Sequence, residues 1–153
     1  MRQYALLLTA FALVSACQPA ATTTATTATN PSPAPFDVGA LSETDIQIQG
    51  CTRTLNRTGS TDTIFAEDGV DTGAKGFIRI EGQLINVGLT AGAGDEHHSV
   101  RNFADANHTI GIVETLTTGA AHEESDSVEE SGTLAVTYKG AALTIQVEGG
   151  TAC

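Results

Sequence analysis

The sequence predicts an all-β fold, a small antiparallel β-barrel or sandwich of about 7–8 short strands. Three observations carry that expectation. Apolar and polar residues alternate through KGFIRIEGQLINVGL and TLAVTYKGAALTIQVEG, which is the period of a half-buried strand. Each stretch is interrupted by a two-residue turn, Glu81 with Gly82 and Lys139 with Gly140, and such pairs close tight hairpins. Further short strands, each bounded by Gly, Asn, Asp or Ser, fall at spacings of roughly 8 to 12 residues, and no helix of ordinary length is expected.

The elements follow in chain order. Asp45 to Gln49, Thr52 to Arg57 and Thr63 to Glu67 are short strands bounded by turn residues. Ile78 and Ile80 alternate with Phe77, Arg79 and Glu81, and Leu84 to Leu89 returns beside them as a hairpin. Ser99 to Ala104 and Thr109 to Thr115 form a further hairpin through Ala104 to Asn107. The run Thr117 to Ser131, TTGAAHEESDSVEES, is polar and acidic and reads as a long exposed loop. Leu134, Val136 and Tyr138 then share one face, as do Leu143, Ile145 and Val147 on the returning strand. After that strand, Gly149 and Gly150 are expected to bend the chain toward Cys153. With five Phe, two Tyr and no Trp, the core is modest.

Three regions are expected: 1–16 as a signal peptide, 17–35 as a tether, and 36–153 as the β domain. Met1 and Arg2 precede an uncharged apolar run from Tyr4 to Val14, then Ser15 and Ala16. This is the order of a secretory leader, and its apolar run is well short of the roughly 20 residues that span a bilayer. The stretch ATTTATTATNPSPAP has no charge and no large apolar side chain. It cannot bury enough surface to offset the entropy of ordering, so a disordered tether is expected, stiffened by Pro31, Pro33 and Pro35.

Val14, Ser15, Ala16 and Cys17 resemble the lipobox of bacterial lipoproteins, in which aliphatic and small residues precede a cysteine. The resemblance covers the first 17 residues. It implies cleavage after Ala16, a diacylglyceryl group on the Cys17 thiol and acylation of the new amino terminus. Several acyl chains, at about 0.8 kcal/mol per buried CH₂, anchor durably where one does not. Gln18 stands where inner-membrane retention favours aspartate, so the implied address is the outer membrane, facing the periplasm.

With Cys17 lipidated, two of the three cysteines are left, and Cys51 and Cys153 are expected to pair in that oxidising compartment. Such a bridge would pin the last strand beside the first ones and close the barrel or sandwich edge. In the chain-entropy model a loop of about 100 residues contributes around 4 to 5 kcal/mol.

The formal net charge is −11, and loss of Arg2 with the leader makes the mature chain more acidic still. Nucleic acid is therefore not an expected partner. A cationic protein partner, or simply solubility and repulsion from other acidic surfaces, fits the charge better. No GxSxG, HExxH or glycine-rich phosphate loop is present, and a non-enzymatic protein is expected. Candidate metal ligands are His97, His98 and His108, since imidazole suits zinc, copper or nickel and a hairpin could bring His97 or His98 near His108. Exposed histidines beside turns are the simpler reading, because adjacent strand residues point to opposite faces, and no cofactor is expected. Asp62, Glu67, Asp68 and Asp71 surround Gly69 without calcium-loop spacing and read as a solvated turn.

The plan of lipobox, tether, small β domain and C-terminal disulfide resembles the membrane-bound inhibitors of c-type lysozyme, which implies inhibition of a cationic cell-wall hydrolase. The SGxxY-type loop of those inhibitors is not matched, since Ser131 and Gly132 are followed by Thr133, Leu134 and Ala135. The Phe77 to Val87 hairpin, GTLAVTYKG and the terminal cysteine are similar to small alphaproteobacterial lipoproteins of no assigned activity. Together these imply an envelope lipoprotein that presents an acidic β domain for binding or structural association.

Overall fold

A computed structural model describes residues 34–46, 50–69 and 73–153. The leader, Cys17 and most of the tether lie outside the described residues, as does Asp71. Nine strands are present and no helix is among the described residues: β1 (Val38–Gly39), β2 (Thr52–Arg57), β3 (Thr63–Asp68), β4 (Lys75–Ile80), β5 (Gln83–Gly94), β6 (His98–Ala104), β7 (Ile110–His122), β8 (Ser127–Tyr138) and β9 (Ala141–Ala152).

From β2 to β9 each strand pairs antiparallel with the next, and β9 returns to pair with β2. The result is a closed eight-stranded barrel with β1 added against β4. Closure removes the free sheet edges that would otherwise template association. The Cys51–Cys153 disulfide, spanning 102 residues of chain, lies at this seam, one residue beyond the Thr52–Ala152 pair. A barrel, not a sandwich, is therefore the architecture, and the bridge closes it as the cysteine arrangement implied.

Both two-residue turns form as expected. Glu81 and Gly82, and Lys139 and Gly140, all have positive φ, the conformation that matches the twist of two paired strands. Alternation then points Leu55, Phe65, Ile78, Val87, Phe103, Ile112, Leu134 and Ile145 into one buried core. Phe65 meets Phe103 edge-on, with centroids 5.3 Å apart. At the end of the barrel carrying the β8–β9 turn, Phe36 packs edge-on against Tyr138 at 5.6 Å. Burying Phe36 and Val38 covers that end with apolar surface.

On β3 and β4 the outward side chains Ile64, Ala66 and Phe77 are buried as well. The segment after β1 is held to this face. The Leu41 N–H donates to the Thr63 carbonyl at 2.7 Å, and Arg79 clasps both oxygens of Asp45 at 2.6 and 2.7 Å.

Three local expectations change. Asp45 does not begin a strand; it closes a turn in which its N–H donates to the Ser42 carbonyl and its carboxylate accepts from Ser42 N–H, while 47–49 lie outside the described residues. The expected acidic loop is mostly strand, since β7 runs on to His122 and β8 begins at Ser127. Its residues have low strand preference, but β8 pairs there with β7 on one side and β9 on the other. Cross-strand pairing outweighs propensity. The Gly149–Gly150 bend is also absent, because β9 continues through both glycines. A Cβ on Gly149 would overlap the Thr54 carbonyl, and one on Gly150 the Val128 carbonyl. These glycines let three coiled strands approach closely without turning the chain.

Candidate functional site

Opposite the apolar end lie the disulfide, the β5–β6 turn and the β7–β8 tip, and two features meet beneath and beside them. One is an ion cluster in the lumen. The other is an acidic groove on the outer wall.

The lumen cluster is assembled by strand parity. Arg53 is two residues from Leu55, Glu67 two from Phe65, Arg101 two from Phe103, and Glu114 two from Ile112. Each charge therefore points inward with its apolar neighbour. Register then makes Arg53 face Glu67 across β2–β3, and Arg101 face Glu114 across β6–β7. Arg53 grips Glu130 bidentately, Nε to Oε2 at 2.7 Å and Nη2 to Oε1 at 2.8 Å. Its Nη1 donates to Glu114 Oε1 at 2.9 Å and to Glu67 Oε1 at 3.3 Å. Arg101 Nη2 lies 2.9 Å from Glu67 Oε2, and the Thr151 hydroxyl donates to Glu130 Oε2 at 3.0 Å. Glu67 and Glu114 are wholly enclosed and the other three are buried.

Burial alone would disfavour the Arg53 charge. The Glu130 hydrogen bonds and the fields of Glu114 and Glu67 more than offset it and raise its pKa above the ordinary arginine value. Glu114 moves the other way. Burial pushes its carboxyl up to about 9, its hydrogen bond with Glu67 and that group's charge act in the same sense, and the two arginines pull against them. The expectation that Glu67 belongs to a solvated turn is thus corrected. Its neighbour Asp68 ends β3, whereas Glu67 takes the parity of Phe65 and enters the lumen.

The outer groove crosses β7, β8 and β9. It has a volume of about 410 Å³ and is lined by Gly119, Glu129, Glu130, Ser131, Glu148 and Gly149. It continues into a shallower depression past Thr54, His122 and Gly150. The small residues lower its floor, and Glu129 and Glu148 stand exposed along it. Glu129 Oε1 is 2.9 Å from His122 Nε2, and Glu148 accepts from the Gly59 N–H at 3.0 Å. Beyond it, Glu123, Glu124 and Asp126 are exposed on the tip. Neither Lys nor Arg occurs in β7, β8 or β9.

The histidines do not converge. His97 lies at the β5–β6 turn, His98 opens β6 and His108 lies at the β6–β7 turn, so the length of β6 from His98 to Ala104 separates them. At about 3.3 Å per residue that is roughly 20 Å, and the hairpin separates candidates that it could have brought together. Asp95 accepts N–H bonds from His97 and His98 at 2.8 and 2.9 Å, which lower its pKa. Asp105 caps the other turn by accepting from Ile110 N–H and the Thr109 hydroxyl, both at 2.8 Å. These acids shape turns. Among the described residues no three His, Cys, Asp or Glu are grouped to hold a metal ion.

Sequence reasoning passed over the lumen cluster and the groove. The cluster had a legible signal, a charge at apolar parity in each strand. The groove had none until β7, β8 and β9 were placed side by side. No protein-family model, curated protein or solved structure matches the chain, so the groove and the lumen carry the functional argument alone.

Proposed function

We propose that the chain is a non-enzymatic cell-envelope lipoprotein, anchored through Cys17 at the outer membrane facing the periplasm, whose acidic barrel binds a cationic protein. The observation that carries this reading is the groove on β7–β9, with Glu129 and Glu148 along it and no Lys or Arg in its three strands. The described cations lie elsewhere, and none stands exposed on the three groove strands. Arg53 and Arg101 are turned into the lumen, Arg79 is clasped to Asp45, Arg57 donates to the Val38 carbonyl, and Lys139 sits over the Tyr138 ring at the opposite end. Lys75 is on β4, across the barrel from β8. A basic partner approaching the groove meets carboxylates first, which favours fast, salt-sensitive association.

A cationic cell-wall hydrolase of the c-type lysozyme class is the specific partner that this chemistry fits. Ser131 and Gly132 lie inside β8, so contact through an SGxxY-type loop is not part of the proposal. The test is association of the oxidised protein with c-type lysozyme at low and high salt. Binding should weaken as salt rises and should fall in a Glu129→Gln, Glu148→Gln double variant. Absence of binding at low salt, or binding indifferent to the double substitution, would overturn the groove reading. The anchor is tested separately: Cys17→Ala should move the protein from the membrane to the soluble fraction.

A further inference from the structure

We propose that the lumen of the barrel is a binding site for one proton, carried on the Glu114 carboxyl and shared with Glu67, and that the barrel is consequently more stable in mild acid than in alkali. The inference starts from the charges enclosed. Among the described residues, three carboxylates, Glu67, Glu114 and Glu130, share the lumen with two guanidiniums, Arg53 and Arg101. From β9 the cluster receives only the neutral Thr151 hydroxyl, and the inward residues of β4 and β5 beside it, Gly76 and Val87, carry no charge. One carboxylate is therefore in excess, in a space where an uncompensated charge is costly.

The geometry places the proton. Glu130 has both oxygens engaged by Arg53, with Thr151 in addition. Glu67 receives Arg53 on one oxygen, and its other oxygen lies 2.9 Å from Arg101 Nη2 as an ion pair without a hydrogen bond, so it is free to accept one. Glu114 accepts from Arg53 through Oε1 only, and its enclosed Oε2 meets no hydrogen-bond partner among the described residues. Protonating Glu114 turns that oxygen into a donor, and the Glu67 carboxylate is its acceptor. One proton thereby balances the charge and satisfies the orphaned atom. The upward shift of Glu114 to about 9 agrees with this placement.

The linkage has a definite sign. The unfolded chain releases this proton near the ordinary value of 4.5 and the folded barrel keeps it up to about 9. The stabilisation is full below 4.5 and is lost as pH rises toward 9. Across that window the unfolding equilibrium constant should rise by up to about tenfold per pH unit.

Two measurements test the site. Carboxyl ¹³C NMR of the folded wild-type protein should show one glutamate still titrating near pH 9; if every glutamate titrates in the ordinary carboxylate range, the proposal fails. Denaturant unfolding from pH 5 to 9 should show the progressive loss in wild type, and Glu114→Gln, which keeps an amide donor toward Glu67, should flatten it. An unchanged slope in that variant would equally overturn the proposal. The spectroscopic measurement needs no variant, so it decides the matter even if Glu114→Gln does not fold.

Discussion

Arg53 donates to carboxylates on β3, β7 and β8 and so ties opposite walls of the lumen. Replacing it with alanine leaves Glu130 without its bidentate partner and an enclosed cluster with an excess of negative charge. Breaking a buried pair in this way costs about 3–5 kcal/mol. Arg53→Ala is expected to lower stability by that amount in urea unfolding, whereas Lys139→Ala, at an exposed turn, should change it little. A small effect from Arg53→Ala would mean that the lumen hydrates freely. The residue pattern that places these charges is present in the sequence: period-two alternation puts Glu114 in line with Ile110, Ile112 and Leu116. Acidic composition concealed it, because a carboxylate next to Asp68 and Gly69 looks like a turn until its strand partner is known.

Among the elements, the two short hairpins are the most legible. Their turn pairs have one backbone solution that suits strand twist, and alternation on either side sets the register. Gly140 has φ 82°, so Gly140→Ala should cost roughly 1–2 kcal/mol, read as a lower unfolding midpoint. Gly149→Ala acts through contact instead, by forcing a Cβ onto the Thr54 carbonyl; a loss of about 3 kcal/mol, the upper end of overpacking, is expected. If both alanines were tolerated equally, close approach of β9 and β2 would not be limiting. The β7–β8 extension is the element least legible from sequence. GAAH and SVEE carry little strand preference of their own, and β8 is ordered there by partners on both sides.

For the whole molecule, closure depends on a pairing between β2 and β9, the most distant strands of the barrel in sequence. Bringing such distant segments together has a large entropic cost, and the Cys51–Cys153 bridge reduces it in the unfolded chain. Reduction, or a Cys51→Ser, Cys153→Ser variant, should therefore lower stability by about 2–5 kcal/mol. The oxidised and reduced urea midpoints report this directly. Coincident midpoints would show that backbone pairing alone holds the seam. At the same scale, the lumen encloses Arg53 and Arg101 together with Glu67, Glu114 and Glu130, so the acidity of the exterior comes from the carboxylates that remain outside.

The sequence by itself determined the all-β class, the two tight hairpins, the inward apolar faces and the disulfide pair, because each follows from local alternation, turn chemistry or a count of cysteines. Tertiary structure decided that the sheet closes as a barrel, that the acidic run continues as strand, that β6 keeps His108 away from His97 and His98, and that Glu67 and Glu114 share an enclosed space. These are relations between segments far apart in the chain. They depend on strand order and barrel register, which no single stretch of sequence contains.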